Sequence, residues 1–198
     1  MLTEEQILEN KNRFINLLQT IKREGADIDG LIKKLETSDF FTAPASTMYH
    51  SAYKGGLCQH SLNVYDNLCK LIAIKYPEDC NYNSDNIIIT ALLHDISKMN
   101  FYEVSERNVK DDNGNWTKVP FLKVRDGNSR FLYSTHGVNS EYMVGSFIPL
   151  MFEESVAIIN HMGNSDETPD QSFIYNKYPL AVLLHSADMI ATFFDENI

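Results

Sequence analysis

The 198-residue sequence has few cysteines and no long apolar run. Its three cysteines, Cys58, Cys69 and Cys80, are an odd number of scattered thiols, which suits a reducing compartment better than a disulfide framework. No apolar run approaches the ~20 residues that span a bilayer. The acidic start, MLTEEQILENK, lacks the apolar segment of a signal peptide. We therefore expect a cytoplasmic protein that does not enter a membrane.

Basic residues are also scarce. The chain has 17 Lys and Arg but 27 Asp and Glu, and its net charge is −10. No Lys/Arg cluster is present to neutralise a phosphate backbone, which argues against long nucleic acid as a partner. A small anionic substrate stays possible, because a bound metal ion can invert the local field.

Several catalytic motifs are missing as well. The sequence has no Walker loop, no GxGxxG and no nucleophile elbow around a Ser or Cys. Gly55-Gly56 is too short to cradle a phosphate and more plausibly lets the chain turn into a helix. These absences argue against nucleotide-loop enzymes, dinucleotide-binding enzymes and covalent hydrolases.

Apolar residues recur at helical spacing along most of the chain, with Thr3 and Asp27 as N-caps of the first two helices. Residues 101–133 differ: turn signals at Asn113-Gly114 and Asp126-Gly127 separate β-favouring runs, which predicts a hairpin or a short three-stranded meander. No repeat or linker divides the chain. We expect one all-α domain over 1–198, a bundle of about seven helices with a small hairpin insertion.

The stretch Asn86–Asn100 reads as a helix that is apolar on nearly every face, which places it in the core. It nevertheless carries His94 and Asp95 side by side, with Lys98 one turn further on. Burying a charged carboxylate beside an imidazole costs several kcal/mol unless both find partners. A divalent metal ion would satisfy both groups, and the alternative is a hydrogen-bonded His–Asp pair with a purely structural role.

Further polar residues interrupt the apolar faces of four other predicted helices: His60, His136, His161 and Asp188. Each alone could be a core residue satisfied by hydrogen bonds. Together with His94 and Asp95 they form an imidazole and carboxylate set that suits Mn, Fe, Co, Ni or Zn, with Mg also open. Six such ligands with a bridging carboxylate would hold two metal ions about 3.5–4 Å apart.

The order H…HD…H…H…D resembles the HD-domain superfamily of metal-dependent phosphohydrolases. The surrounding motifs match too: YKGGLCQHS at His60, ALLHDISK at His94-Asp95, INHMG at His161 and LLHSADMIA at Asp188. The first motif is also similar to the HD domains of bacterial 3′–5′ exoribonucleases, and the hairpin region resembles small phage and bacterial HD proteins. The resemblance covers an HD core over residues 45–195, preceded by an N-terminal helical segment over 1–44.

The resemblance implies a role for each matched residue. One metal ion would be held by His60, His94, Asp95 and Asp188, and Asp95 would bridge to a second ion held by His136 and His161. Asp95 and Lys98 would be catalytic. The residues expected to contact the substrate phosphate are His50, Tyr53, Lys54 and Lys98.

Other roles stay open for some of these residues. Lys98 could be a solvated lysine at a helix end, and the residues before His60 could simply pack a loop. His136 and His161 need not ligate, because some family members bind one metal ion. His185 is expected to support the site or the core.

The expected function is hydrolysis of a phosphate ester or phosphodiester of a small nucleotide-like substrate by metal-activated water. Two alternatives remain: a di-iron oxygenase with the same ligands, and a nucleotide-sensing module without turnover. The sequence leaves the oligomeric state open, although Phe40-Phe41, read as exposed aromatics, could mark a contact between subunits.

Overall fold

The structure is a computed structural model that describes residues 1–112, 114–125, 135–163 and 170–196. Within these ranges the chain forms eight α-helices and two strands. In chain order they are α1 (Glu4–Leu18), α2 (Ile28–Glu36), α3 (Gly56–Lys75), α4 (Ser84–Leu93), β1 (Tyr102–Lys110), β2 (Trp116–Val124), α5 (His136–Gly145), α6 (Phe152–Ile159), α7 (Gln171–Lys177) and α8 (Pro179–Ile190).

The prediction of an all-α fold is wrong, because the largely helical chain also contains a two-stranded antiparallel sheet. Strands β1 and β2 pair in register from Tyr102 opposite Val124 to Lys110 opposite Trp116. Asp111 closes the turn, since its side chain accepts a hydrogen bond from the Asn115 amide at 2.8 Å. Every residue of both strands is paired, so the insertion forms a two-stranded sheet. The fold therefore combines α-helices with β-structure.

Part of the predicted β region cannot be compared with the structure. Asn113, the Asp126-Gly127 turn and the remaining residues up to 133 lie outside the described residues. The third strand of the predicted meander falls in that part of the chain.

Two of the predicted helix starts are confirmed. Thr3 caps α1 in a reciprocal capping box with Gln6, and the Asp27 side chain caps α2 by accepting a hydrogen bond from the Gly30 amide at 2.9 Å. Helix α7, at Gln171–Lys177, was not predicted. It is short and holds no fully buried residue, so it lacks the apolar periodicity that marks the longer helices.

The central helix is shorter than predicted. Helix α4 ends at Leu93, and a 3-10 turn at Ile96–Lys98 follows instead of a continuous helix to Asn100. His94 is the C-cap, and Asp95 leaves helical geometry with φ −113° and ψ 15°. Asn100 then adopts a positive φ of 56° and closes the segment. This break turns Asp95 away from the direction that a continuous helix would give it.

The hydrophobic core has two parts. The first packs α1, α2 and α4 around Phe14, and the second packs α3, α6 and α8 around Leu68 and Leu184. Phe40 and Phe41 belong to the first part, with the Phe40 ring centroid 5.0 Å from that of Phe14. The reading of these two phenylalanines as exposed contact residues was therefore wrong. They close the core between α2 and α3.

The cysteines of the described chain are free thiols. Cys58 is buried, and burial raises the pKa of its thiol to about 12, whereas Cys80 is exposed. None of the helices in the described ranges is long and apolar enough to cross a membrane.

A buried carboxylate joins α4 to α6. Glu154, only 1% exposed, accepts two hydrogen bonds from the Arg23 guanidinium at 2.7 and 2.9 Å. It also accepts one from Asn86 Nδ2 at 2.8 Å and one from the Met151 amide at 2.7 Å. Because α4 leads into His94 and α6 leads into His161, this network fixes the relative position of the two helices that carry candidate ligands.

We expect Glu154→Ala to lower the free energy of unfolding by about 3 kcal/mol, because it leaves Arg23 and Asn86 without their buried acceptor. This value is at the lower end of the range for breaking a buried ion pair, because the Arg23 side chain is 16% exposed. Urea unfolding followed by circular dichroism measures the change, with Glu9→Ala on the exposed face of α1 as control. Equal stability of the two variants would show that the network does not hold the helices together.

Candidate metal centre

The six candidate ligands come from separate parts of the chain. His60 lies within α3, His94 and Asp95 directly follow α4, and His136 is the first residue of α5. His161 follows the end of α6, and Asp188 lies near the end of α8. All are buried except His136, whose side chain is 17% exposed. The fold therefore brings residues that are distant in sequence into one interior site.

The two carboxylate oxygens of Asp95 face two different pairs of imidazoles. Asp95 Oδ2 lies 3.5 Å from His94 Nε2 and 3.7 Å from His60 Nε2. Asp95 Oδ1 lies 3.4 Å from His136 Nε2 and 3.5 Å from His161 Nε2. A carboxylate with a separate nitrogen pair in front of each oxygen has the arrangement of a ligand shared by two cations.

Asp188 completes the first of these groups. Its Oδ1 lies 3.2 Å from His60 Nε2, and it also falls within ligand range of His94 and His161. The described His and Asp residues form overlapping groups of three whose ligand atoms lie within 4.8 Å of one another. These buried groups can hold a metal ion.

Backbone carbonyls orient two of the imidazoles. His94 Nδ1 lies 2.8 Å from the Ala91 carbonyl oxygen, and His161 Nδ1 lies 2.7 Å from that of Ile158. A carbonyl only accepts, so each Nδ1 carries the proton and donates it. Each Nε2 then presents a lone pair toward Asp95 in the neutral ring, the tautomer that a ligating histidine requires.

A carboxylate that the sequence analysis missed supports His60. Glu196, 9% exposed, lies 3.0 Å from His60 Nδ1 through Oε1 and accepts a hydrogen bond from Ser51 Oγ at 2.7 Å. Asn63 Nδ2 donates a third hydrogen bond at 3.0 Å. Glu196 follows a π-helical turn at Ala191–Asp195, beyond the last apolar repeat, where no spacing or motif singles it out.

Burial is the largest single influence on the pKa of five groups in the site: His60, His94, Asp95, His136 and Asp188. It lowers the pKa of His136 to about 3 and also lowers that of His94. For Asp95 burial raises the pKa, but the opposing influences, of which the charge of Lys98 is the largest, outweigh burial and hold the pKa well below its usual range. Neutral imidazoles and an ionised carboxylate at neutral pH are the protonation states that metal binding needs.

His60 differs from the other imidazoles because it lies between two carboxylates. Burial lowers its pKa, but the hydrogen bonds to Asp188 and Glu196 outweigh burial and raise the pKa to about 10. The hydrogen bond to His60 likewise lowers the pKa of Asp188. A cation bound by His60 and Asp188 would release the second ring proton, since a ligating imidazole is neutral.

Two buried polar atoms in the site have no hydrogen-bond partner among the described residues, His94 Nε2 and Asp95 Oδ1. Buried polar atoms nearly always have a partner. The 3.5 Å separation of His94 Nε2 and Asp95 Oδ2 is at the long limit of a hydrogen bond, so a simple His–Asp pair does not account for these atoms. A divalent cation at this position would satisfy both, and the donor set therefore fits a metal ion.

Two of the candidate ligands, Asp95 and Asp188, line a cavity of about 660 Å³. His50, Asp95, Lys98, His185 and Asp188 are among its lining residues. The Lys98 ammonium lies 2.7 Å from Asp95 Oδ2 and is almost fully buried, so it is not a solvated lysine at a helix end. His50 brings to the cavity an Nε2 that has no hydrogen-bond partner among the described residues.

The other two residues expected to bind substrate do not line this cavity. Lys54 is exposed, and its ammonium pairs with Glu4 Oε1 at 2.6 Å on α1. The Tyr53 hydroxyl oxygen lies 3.3 Å from Ser51 Oγ. His185 does line the cavity, and its Nδ1 lies 2.7 Å from the His161 carbonyl oxygen, so it supports the turn that carries His161.

Comparisons of the chain with protein-family models, with curated proteins and with solved structures give no match. The resemblance to HD-domain proteins therefore depends on the motifs of the sequence, and the case for a metal centre on the geometry of its residues.

We expect Glu196→Gln to weaken metal binding roughly 10- to 100-fold, the usual cost of losing a carboxylate behind a ligating histidine. The amide keeps the shape of the side chain but removes the charge that favours His60 as a ligand. Competition with a fluorescent chelator measures the dissociation constant for Mn²⁺, and Glu78→Gln in the exposed loop after α3 is the control. An unchanged dissociation constant would show that Glu196 does not act on the metal centre.

Proposed function

We propose that the protein is a metal-dependent phosphohydrolase of the cytoplasm that cleaves a phosphate ester or phosphodiester of a small nucleotide-like substrate. The observation that carries the proposal is Asp95, whose two oxygens each face a pair of imidazoles at the floor of an open cavity. A buried ammonium, that of Lys98, lines the same cavity and adds a positive charge next to the candidate metal centre.

The residues of the site divide into two ligand groups. His60, His94, Asp95 and Asp188 would hold one divalent cation, and Asp95, His136 and His161 a second. When bound, such a pair supplies a water of lowered pKa and positive charge for the phosphoryl oxygens. Imidazole with carboxylate favours Mn, Fe, Co, Ni or Zn, and leaves Mg open.

Lys98 would stabilise negative charge on the substrate. Burial lowers the pKa of its ammonium, but the charge of Asp95 outweighs burial, and the net pKa is raised. The side chain therefore stays protonated at neutral pH. At a buried position, a fixed ammonium stabilises charge on a phosphoryl oxygen or leaving oxygen more strongly than it would in solvent.

His50 would bind the substrate as a neutral imidazole. Burial lowers its pKa to about 4, with further contributions from His60 and Lys98. Its ring centroid lies 4.7 Å from that of His60, so the ring stands directly beside the metal centre. The unpartnered Nε2 can donate to or accept from a phosphate ester at the cavity wall, depending on the tautomer.

We expect His94→Ala and Asp95→Ala each to abolish metal binding and phosphatase activity while helical content stays nearly unchanged. Both remove a ligand from the centre, whereas the helices depend on the apolar core. Elemental analysis of protein purified without chelator or metal-binding tag gives the metal content, and circular dichroism gives the helical content. Asp79→Ala, in the exposed loop before α4, is the control.

The outcomes of this experiment separate the functions considered from the sequence. About two equivalents of metal with phosphatase activity would support the proposal. Firmly held iron with oxygen-dependent activity would replace it with the di-iron oxygenase. A wild-type protein that takes up no metal would contradict it and favour a sensing module, and a variant that keeps full activity would contradict the site assignment.

We expect Lys98→Met to lower kcat about 100-fold or more with metal content unchanged, because it removes a charge that acts on the reacting group without removing a ligand. Methionine has a similar length and keeps the buried stem packed. Steady-state kinetics with 4-nitrophenyl phosphate, together with elemental analysis of the same sample, separate the two effects. Full turnover in the variant would exclude Lys98 from catalysis, and loss of metal would assign it to the centre itself.

A further inference from the structure

The cavity above the candidate metal centre has an apolar wall. Its members are Met48, Tyr49, Met162, Met189 and Phe193, all of which line the cavity. They come from the segment before α3, the turn after α6, α8 and the π-helical turn that follows it. Between 44% and 79% of the surface of each is exposed. We call this set the apolar wall.

A single exposed apolar residue needs no explanation, but a cluster around one cavity does. Exposed apolar surface forgoes the favourable free energy that its burial would supply. Small-molecule sites are typically apolar pockets with a small number of polar groups, and the lining of this cavity combines both kinds of residue. Three charged residues, Asp95, Asp188 and Lys98, also line the cavity, and we call them the polar floor.

We infer that the apolar wall binds the organic group of the phosphate ester, and that this group carries a flat aromatic ring such as a nucleobase. This rests on the proposed function, which places the phosphate on the polar floor. The cavity volume of about 660 Å³ is in the range of pockets for ligands of nucleotide size. The wall thus selects among phosphate esters by the group attached to the phosphate.

The chemistry of the wall favours a flat ring over other organic groups. Unbranched methionine side chains adapt to a ring face and make favourable contacts between sulfur and aromatic rings. The rings of Tyr49 and Phe193 can stack on it or meet its edge. A polyhydroxyl group would leave its hydrogen bonds with water for a surface that offers few replacements, so it would bind more weakly.

The test uses the Mn²⁺-loaded full chain and calorimetric titration with inorganic phosphate and three phosphonates that resist hydrolysis. Phenylphosphonate carries a flat ring, hexylphosphonate an alkyl chain and 2-hydroxyethylphosphonate a small polar group. We expect phenylphosphonate to bind about tenfold or more tightly than 2-hydroxyethylphosphonate, and more tightly than hexylphosphonate. Inorganic phosphate reports on the polar floor alone.

The double variant Met48→Gln/Met189→Gln tests the wall directly, because glutamine keeps the length of the side chain and removes its apolar character. We expect it to lose most of the preference for phenylphosphonate while its affinity for inorganic phosphate and its metal content stay unchanged. Leu8→Gln, at a similarly exposed position on α1, is the control. Unaltered preference in the double variant would overturn the assignment of the wall.

The remaining outcomes separate this inference from the proposed function. Phosphate binding without a preference for the ring overturns the inference and leaves the proposed function standing. Tighter binding of hexylphosphonate overturns the aromatic assignment in favour of an alkyl group. Failure of the metal-loaded protein to bind phosphate or any phosphonate contradicts the proposed function, and the inference fails with it.

Discussion

The burial of an ionised carboxylate, that of Asp95, is the constraint on which the rest of the site depends. The side chain is 1% exposed, and taking such a charge out of water costs several kcal/mol unless positive or donating groups surround it. The surrounding groups come from α3, α4, α5, α6 and the 3-10 turn that carries Lys98. The packing of these elements therefore also brings together the groups that stabilise the buried charge of Asp95.

Two helices end in the same way next to this carboxylate. His94 and His161 each lie just beyond a helix and return their Nδ1 to the carbonyl three residues earlier. The imidazole thereby satisfies a carbonyl that the helix end leaves without a partner and fixes its own orientation. Glu154 fixes α4 against α6. The imidazoles of His94 and His161, which follow the ends of these helices, are therefore positioned together.

The end of the described chain takes part in the site through contacts that are remote in sequence. Glu196 reaches His60 across 136 residues, and Asp195 accepts a hydrogen bond from Asn67 at 2.7 Å. The same π-helical turn contributes Phe193 to the apolar wall. One short segment after α8 therefore supports a candidate ligand and shapes the cavity beside it.

The sequence by itself determined the features that depend on near neighbours. The caps at Thr3 and Asp27 follow from side chains three residues from the amides they bond, and polar interruptions of apolar faces single out six positions that converge in the fold. Tertiary structure alone decided the burial of Phe40, the pairing of Lys54 with Glu4 and the role of Glu196. These depend on which distant residues meet when the core packs, and no local periodicity encodes that choice.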